Sequence, residues 1–109
     1  MFTLAIDNVV EVPVKFTLKA GKVNKPFNVT LTARRLTPEE SEAQPADLSI
    51  KEFLLDNVSA WADQRLVLDA AGQPAAFSRE ALDAMLKVPG VLMTVWAAYN
   101  RECGCKEKN

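Results

Sequence analysis

Two stretches near the start of the chain alternate between apolar and polar residues. The apolar positions are Val12, Val14, Phe16 and Leu18 in the first, and Phe27, Val29, Leu31 and Ala33 in the second. A period of two is typical of a strand with one buried face. The polar residues between them include Gly21 and Asn24, so the pattern predicts an antiparallel hairpin with a loop of about six to eight residues. Phe2, Leu4 and Ile6 are candidates for a further strand.

Helix signals follow the hairpin. Thr37-Pro38-Glu39-Glu40 is typical of a helix start, and Gln44-Pro45-Ala46 ends that helix early. Asp47 or Ser49 can cap a second helix, whose apolar positions at spacings of three and four are Ile50, Phe53, Leu54, Val58 and Trp61. After a turn over residues 69–74, Ser78 caps a third helix. Val88-Pro89-Gly90 ends it, and a final helix is predicted from Val91 to Glu102.

Strands come first and helices after, which favours an α+β fold. We expect a small antiparallel sheet, made of the N-terminal hairpin with a candidate third strand, and three or four helices packed on one of its faces. Residues 1–109 are expected to form one domain. It would be mainly β over 1–36 and mainly α over 37–102, and 103–109 would be a charged tail.

Composition narrows the classes of function. The chain has 109 residues, a formal net charge of −1 and no histidine, so the most common general base and zinc nitrogen ligand are missing. The carboxylates of Glu39, Glu40 and Glu42, and of Asp63 and Asp69, fit a helix start and a solvated turn better than an acid–base pair. The four glycines are too dispersed for a phosphate-binding loop. We therefore expect neither enzymatic activity nor a cofactor.

The expected location and partners follow from the same numbers. A nearly neutral chain has no basic field for nucleic acid, and no apolar run approaches the length of a membrane span. The N-terminus does not resemble a signal peptide, and two cysteines do not make a disulfide framework. We expect a cytoplasmic protein that binds neither nucleic acid nor membranes. Cys103-Gly104-Cys105 fits an incidental tail motif, with a bridge between chains or a shared metal as alternatives.

The final helix is apolar on two sides. Val91, Val95 and Ala98 form one stripe, and Leu92, Trp96 and Tyr99 form another. Such a helix is either central in the core or divided between core and interface, and the sequence leaves both readings open. In the second reading, Leu92, Trp96 and Tyr99 bind a partner, because their spacing matches the anchors of a helix that docks in a groove. Trp61 is expected to continue a single core stripe.

Taken together, the motifs resemble those of phage tail assembly chaperones. The first half of the likeness is Val12-Pro13-Val14, Phe27-Asn28-Val29-Thr30-Leu31 and Ala33-Arg34-Arg35-Leu36-Thr37-Pro38-Glu39-Glu40. The second is Phe53-Leu54, Val58, Trp61, Val67-Leu68-Asp69, Gly72-Gln73-Pro74, Phe77-Ser78, Glu80-Ala81-Leu82, Met85-Leu86, Pro89-Gly90 and Ala97-Ala98-Tyr99. Family members often carry Gly after the Trp, where this chain has Ala62-Asp63-Gln64.

The resemblance implies a non-enzymatic protein of a phage or prophage. It would bind the tape-measure protein in the bacterial cytoplasm, keep it soluble, and leave before the tail is complete. Such proteins often self-associate, so a homo-oligomer is a further expectation. The alternatives are a small adaptor or structural component of the tail, such as a terminator or connector, and an enzyme subunit that borrows residues from a partner.

Overall fold

The computed structural model describes residue 2 and residues 8–44 and 48–103. It is an α+β fold with an antiparallel sheet of strand order β1-β2-β3. The elements along the chain are β1 (Val9–Ala20), β2 (Val23–Arg34), α1 (Pro38–Glu42), α2 (Ile50–Asn57), β3 (Val58–Ala62), α3 (Arg79–Leu86) and α4 (Val91–Cys103). The sequence predicts three or four helices. The structure has three helices of at least two turns, α2 to α4, because α1 is only five residues long.

The hairpin of β1 and β2 is present, but the predicted loop length is wrong. Ala20 pairs with Val23, so only Gly21 and Lys22 form the turn. Gly21 has a φ of 65°, and a two-residue hairpin turn needs this left-handed conformation at its first position. Polar residues lie on both faces near the tip, which hides the strand period there. The sequence pattern therefore underestimates the length of both strands.

The register places the predicted apolar residues on one face of the hairpin. Val12 lies opposite Leu31, Val14 opposite Val29, and Phe16 opposite Phe27. Val14, Val29 and Leu31 are buried, as expected for the face that meets the helices. Phe16 is only half-buried, because the hairpin extends beyond the helices that cover its base.

The third strand is β3, which the sequence pattern assigns to a helix. Val58 and Trp61 match the helical spacing of α2, yet the helix ends at Asn57 and the chain becomes extended. β3 pairs with Thr30–Ala33 of β2 and has an irregularity between Thr32 and Ala33. Pairing with the open edge of β2 overrides the local helical period. Of the earlier candidates, Phe2 is fully exposed and outside the sheet, whereas Leu4 and Ile6 lie outside the described residues.

Local capping sets the helix starts. The Thr37 hydroxyl accepts from the Glu40 amide and the Glu40 carboxylate accepts from the Thr37 amide, both at 3.1 Å, which is a capping box. Ser49 caps α2 and Ser78 caps α3, as predicted. Gly90, with a φ of 87°, separates α3 from α4. Asp47, the alternative cap for α2, lies outside the described residues.

The core lies between one face of the sheet and the helices. Its buried apolar residues are Val12, Val14, Val29, Leu31, Ala33, Leu54, Val58, Leu82, Met85, Leu86, Val91, Val95, Ala98 and Tyr99. α4 packs across β1, and Glu11, Pro13 and Lys15 on the opposite face of that strand are exposed. The predicted arrangement of helices over one face of the sheet is confirmed for this core.

Gln64 organises the segment that links β3 to α3. Its buried side-chain amide donates to the carbonyls of Val67 and Ala75, and its Oε1 accepts from the Val67 amide at 2.8 Å. Trp61, half-buried on β3, donates from Nε1 to the Ala75 carbonyl at 3.1 Å. Asp63 has a φ of 64°, a left-handed conformation that glycine adopts most easily.

Candidate functional site

The two apolar stripes of α4 have different environments. Val91, Val95 and Ala98 are almost completely buried against the core. In the second stripe, Leu92 and Trp96 are half-buried, whereas Tyr99 is only 6% exposed. The structure therefore keeps Leu92 and Trp96 within reach of a partner and places Tyr99 mainly in the core.

Three aromatic rings fix the outer side of α4 against α2. Phe53 meets Trp96 edge to face at a centroid distance of 5.5 Å and meets Tyr99 in the same way at 5.4 Å. Trp96 and Tyr99 are stacked, with centroids 5.9 Å apart. The Tyr99 hydroxyl donates to the Arg34 carbonyl at 2.9 Å, which ties α4 to the end of β2. This arrangement holds Trp96 in one orientation while part of its surface faces solvent.

Met93 enlarges the accessible part of α4. Its side chain is 56% exposed, and it lies one helical turn from Trp96 and beside Leu92. We call Leu92, Met93 and Trp96 the α4 patch. The pattern of two stripes does not include Met93, because this residue lies outside both, on the solvent side of Trp96. The sequence feature that could have identified Met93 is its position three residues before Trp96, since residues three apart are neighbours on a helix surface.

The environment at the end of α4 favours the neutral forms of the Tyr99 hydroxyl and the Cys103 thiol. Burial, together with the nearby Cys103 thiol, raises the pKa of Tyr99 to about 12. Burial raises the pKa of Cys103, although its hydrogen bond with Tyr99 acts in the opposite direction. Cys103 is a half-buried free thiol, and a raised pKa disfavours the reactive thiolate. Gly104 and Cys105 lie outside the described residues.

The acidic clusters occupy local structural roles. Glu40 belongs to the capping box and pairs with Arg34; the hydrogen bond from the Thr37 backbone, followed by the one from Arg34, lowers its pKa. Asp69 accepts from the amides of Ala71 and Gln73 in the turn that follows residue 68. Among the residues that the structure describes, no group of three or more histidine, cysteine or acidic side chains could hold a metal ion.

Two recesses lie beside the Gln64 segment. One, of about 530 Å³, is lined by Trp61, Gln64, Phe77 and the chain around them. The other, also about 530 Å³, lies between Phe27 on the hairpin and Arg65. The Gln64 amide in the first recess is already engaged by backbone groups.

The outer half of the hairpin is a second candidate surface. We call residues 15–28 the hairpin arm. β3 pairs with β2 only across Thr30–Ala33, so the arm is a two-stranded ribbon beyond the third strand. It carries Lys15, Lys19, Lys22 and Lys25, all exposed, and no acidic residue. The total charge conceals this segregation, although the sequence carries its signal: no acidic residue occurs between Glu11 and Glu39.

Comparisons with protein-family models, curated proteins and solved structures found no match to this chain.

In the described part of the chain, no single helix is long and apolar enough to cross a membrane. α3 and α4 together meet the criteria of length and composition, but they are bent by 110° at the break between them.

Proposed function

We propose that this protein is a non-enzymatic chaperone of phage or prophage tail assembly, acting in the bacterial cytoplasm on the tape-measure protein. The order and spacing of motifs over residues 12–101 support this function through the family resemblance. The structural observation that carries it is the α4 patch, where Leu92, Met93 and Trp96 present apolar surface on a helix held rigid by Phe53 and Tyr99.

The α4 patch suits a chaperone that holds a partner and later releases it. Trp is among the residue types that most often dominate binding energy, and Met adapts its shape to different apolar partners. Because the aromatic contacts with α2 already orient Trp96, little side-chain freedom is lost when a partner covers it. A small apolar patch without a catalytic set favours reversible protein binding.

Coexpression tests the proposal directly. The proposal expects a tape-measure reading frame beside the gene of this chain. Its product is expressed with and without the chain, and the soluble fraction of that product is measured. We expect the soluble fraction to rise severalfold with the chain. Met93→Glu should abolish the rise, because a carboxylate in the patch would have to be desolvated on binding. An unchanged soluble fraction would overturn the proposal.

Leu68→Glu is the matched control for Met93→Glu. Leu68 is 54% exposed, close to the value for Met93, and lies on the segment after β3. The control should solubilise the tape-measure protein as the unmodified chain does. Trp96→Ala is a less direct probe because Trp96 also supports the fold through Phe53 and Tyr99. In the interface reading it weakens association by about 2 kcal/mol and hardly changes melting. In the core reading it destabilises the fold by about 3–5 kcal/mol.

Purified tails distinguish the chaperone from a structural adaptor. A chaperone leaves before assembly is complete, so this chain should be absent from finished particles. Stoichiometric recovery of the chain in purified virions would overturn the proposal in favour of a terminator-like or connector-like component.

A further inference from the structure

The hairpin arm combines two kinds of surface that the fold does not use. Its four lysines are exposed, and none forms an ion pair within the described part of the chain. The net charge of −1 conceals this group, because the acidic residues lie elsewhere in the sequence. Asp63 and Arg65 line the recess beside Phe27 at the base of the arm, so these two opposite charges lie next to it. The arm itself carries four cations and no acidic residue, and it attracts a negatively charged partner.

The face of the arm that continues the core is apolar. Phe16 and Phe27 pair across the strands with ring centroids 5.8 Å apart, and both are half-buried. Toward the tip, Leu18 is half-buried and Val23 is 60% exposed. Cross-strand pairs share a face, so Lys25 lies on this same side, opposite Leu18. The face is therefore an apolar strip that carries one cation, Lys25, with Lys22 in the turn at its end. Lys15 and Lys19 lie on the opposite face of the two-stranded ribbon.

The charge of the strip decides against a second arm as its occupant. Two arms packed strip to strip would bring two Lys25 side chains into one interface and place two basic ribbons side by side, and like charges across an interface are unfavourable. The occupant has to be acidic as well as apolar.

The side chains of the arm also favour protein over nucleic acid. Single-stranded nucleic acids bind to open aromatic faces and are often contacted by arginine. Here the two phenylalanine rings stack on each other, Leu18 and Val23 are aliphatic, and the arm contains no arginine. Aliphatic side chains with flanking cations fit an amphipathic peptide segment better.

We propose that the hairpin arm is a docking surface for an amphipathic helix of a partner protein whose polar face is acidic. The apolar side of that helix lies on Phe16, Leu18 and Val23, and its carboxylates pair with Lys25 on the strip and Lys22 in the turn. Lys15 and Lys19, on the opposite face of the thin ribbon, add to the positive field. This inference rests on the proposed function for its biological partner, because it specifies the chemistry of the tape-measure segment that is bound. The binding chemistry itself is tested without the tape-measure protein.

The test uses two synthetic helical peptides of about 18 residues with leucine at helical spacing on one face. One carries glutamate at all other positions, and the second carries lysine there. Binding to the full chain is measured by fluorescence anisotropy at low and high salt. We expect the glutamate peptide to bind, its affinity to fall with salt, and the lysine peptide to bind at least about tenfold more weakly.

Charge reversal on the arm provides the decisive comparison. Lys19→Glu combined with Lys25→Glu should weaken binding of the glutamate peptide at least about tenfold, so that the lysine peptide becomes the tighter ligand. The matched control, Arg79→Glu with Lys87→Glu, makes the same charge change on the helices and should leave the preference unchanged. Circular dichroism verifies that each variant is folded.

A second pair of variants tests the apolar strip. Val23→Ser should weaken binding of the glutamate peptide severalfold. Val9→Ser should not, although Val9 is similarly exposed, at 53%, because it lies at the far end of β1. Equal effects of the two serine variants would contradict the placement of the helix on the strip.

Three results would overturn the inference. If peptide binding is unchanged after charge reversal at Lys19 and Lys25, the lysines do not bind the peptide, and their role is to prevent edge-to-edge pairing of sheets. A single-stranded oligonucleotide that binds more tightly than the glutamate peptide would assign the arm to nucleic acid. Dissociation of an oligomer by the same reversal, measured by sedimentation, would assign it to a second copy.

The two proposals can fail separately. If the glutamate peptide binds the arm but the chain does not solubilise the tape-measure protein, the proposed function is wrong and the docking surface stands. If the chain solubilises the tape-measure protein and Lys19→Glu with Lys25→Glu has no effect on peptide binding, only the inference about the arm is wrong.

Discussion

Tyr99 connects three elements through one side chain. Its ring lies against Phe53 of α2 and Trp96 of α4, and its hydroxyl bonds to the Arg34 carbonyl at the end of β2. The same burial that makes these contacts also disfavours the charged tyrosinate. The protonation state of the Tyr99 hydroxyl is therefore coupled to the packing of α4.

We predict a loss of stability at alkaline pH that depends on Tyr99. Its pKa is raised to about 12 in the folded chain, whereas an unfolded tyrosine titrates near 10. The raised pKa means that the contribution to the free energy of unfolding is fully present below about pH 10 and is lost as pH rises toward 12. Tyr99→Phe should remove this part of the pH dependence in chemical denaturation.

Absorbance gives a direct check, because Tyr99 is the only tyrosine in the sequence. Tyrosinate absorbance in the near ultraviolet should rise with a midpoint near pH 12 in the folded chain and near 10 in denaturant. Equal midpoints in the two states would show that Tyr99 is not buried.

Gln64 is the second residue with a disproportionate structural role. We predict that Gln64→Ala lowers the free energy of unfolding by about 2–3 kcal/mol, because it removes three hydrogen bonds and leaves backbone groups of Val67 and Ala75 without these partners. Gln73→Ala on the same segment is the control, since Gln73 is exposed. Urea denaturation measures both variants, and similar losses for the two would contradict the role of Gln64.

At the scale of elements, the hairpin should show a gradient of stability along its length. Leu31→Ala should cost about 2–5 kcal/mol, because Leu31 is completely buried under the helices. If Phe16 were fully buried, Phe16→Ala would cost about 3–5 kcal/mol; half-burial lowers the expected cost to about 1–2 kcal/mol. Urea midpoints of the two variants measure the difference, and a larger effect at Phe16 would place the core nearer the tip.

Sequence rules succeeded where a few neighbouring residues determine the structure. The caps at Thr37, Ser49 and Ser78 and the break at Gly90 depend on local hydrogen bonds and backbone angles, so the pattern finds them. The strand period at Val12–Val14 and Val29–Leu31 likewise reflects a face that is buried along the chain.

The failures involve contacts between distant residues. β3 was assigned to a helix because Val58 and Trp61 satisfy both a helical spacing and a strand paired with Thr30–Ala33. Tyr99 was grouped with the partner-binding stripe because the position of the Arg34 carbonyl cannot be read from helical spacing. Trp61 is half-buried beside Ala75 instead of continuing a helical core stripe.

At the scale of the whole molecule, the net charge is a poor description of the surface. A net charge of −1 predicts no basic field for nucleic acid or membranes, yet the exposed lysines of the hairpin arm are separated from the acidic residues of the rest of the chain. We predict that the chain is retained on a cation-exchange column near neutral pH despite its sequence pI of about 5.4. Lys19→Glu with Lys25→Glu should pass through, whereas Arg79→Glu with Lys87→Glu should elute later than that variant.

The two-stranded character of the arm has a consequence for hydrogen exchange. β1 and β2 form one continuous ladder, but only the part near Thr30–Ala33 also has a third strand and a covered face. Opening at the Gly21 turn exposes little apolar surface, so it requires much less free energy than opening of the base. Amide protons near the tip should therefore exchange through local fraying, whereas those at Leu31 and Ala33 should exchange only when the domain unfolds. A single pair of strands would thus contain both the least and the most protected amides of the sheet.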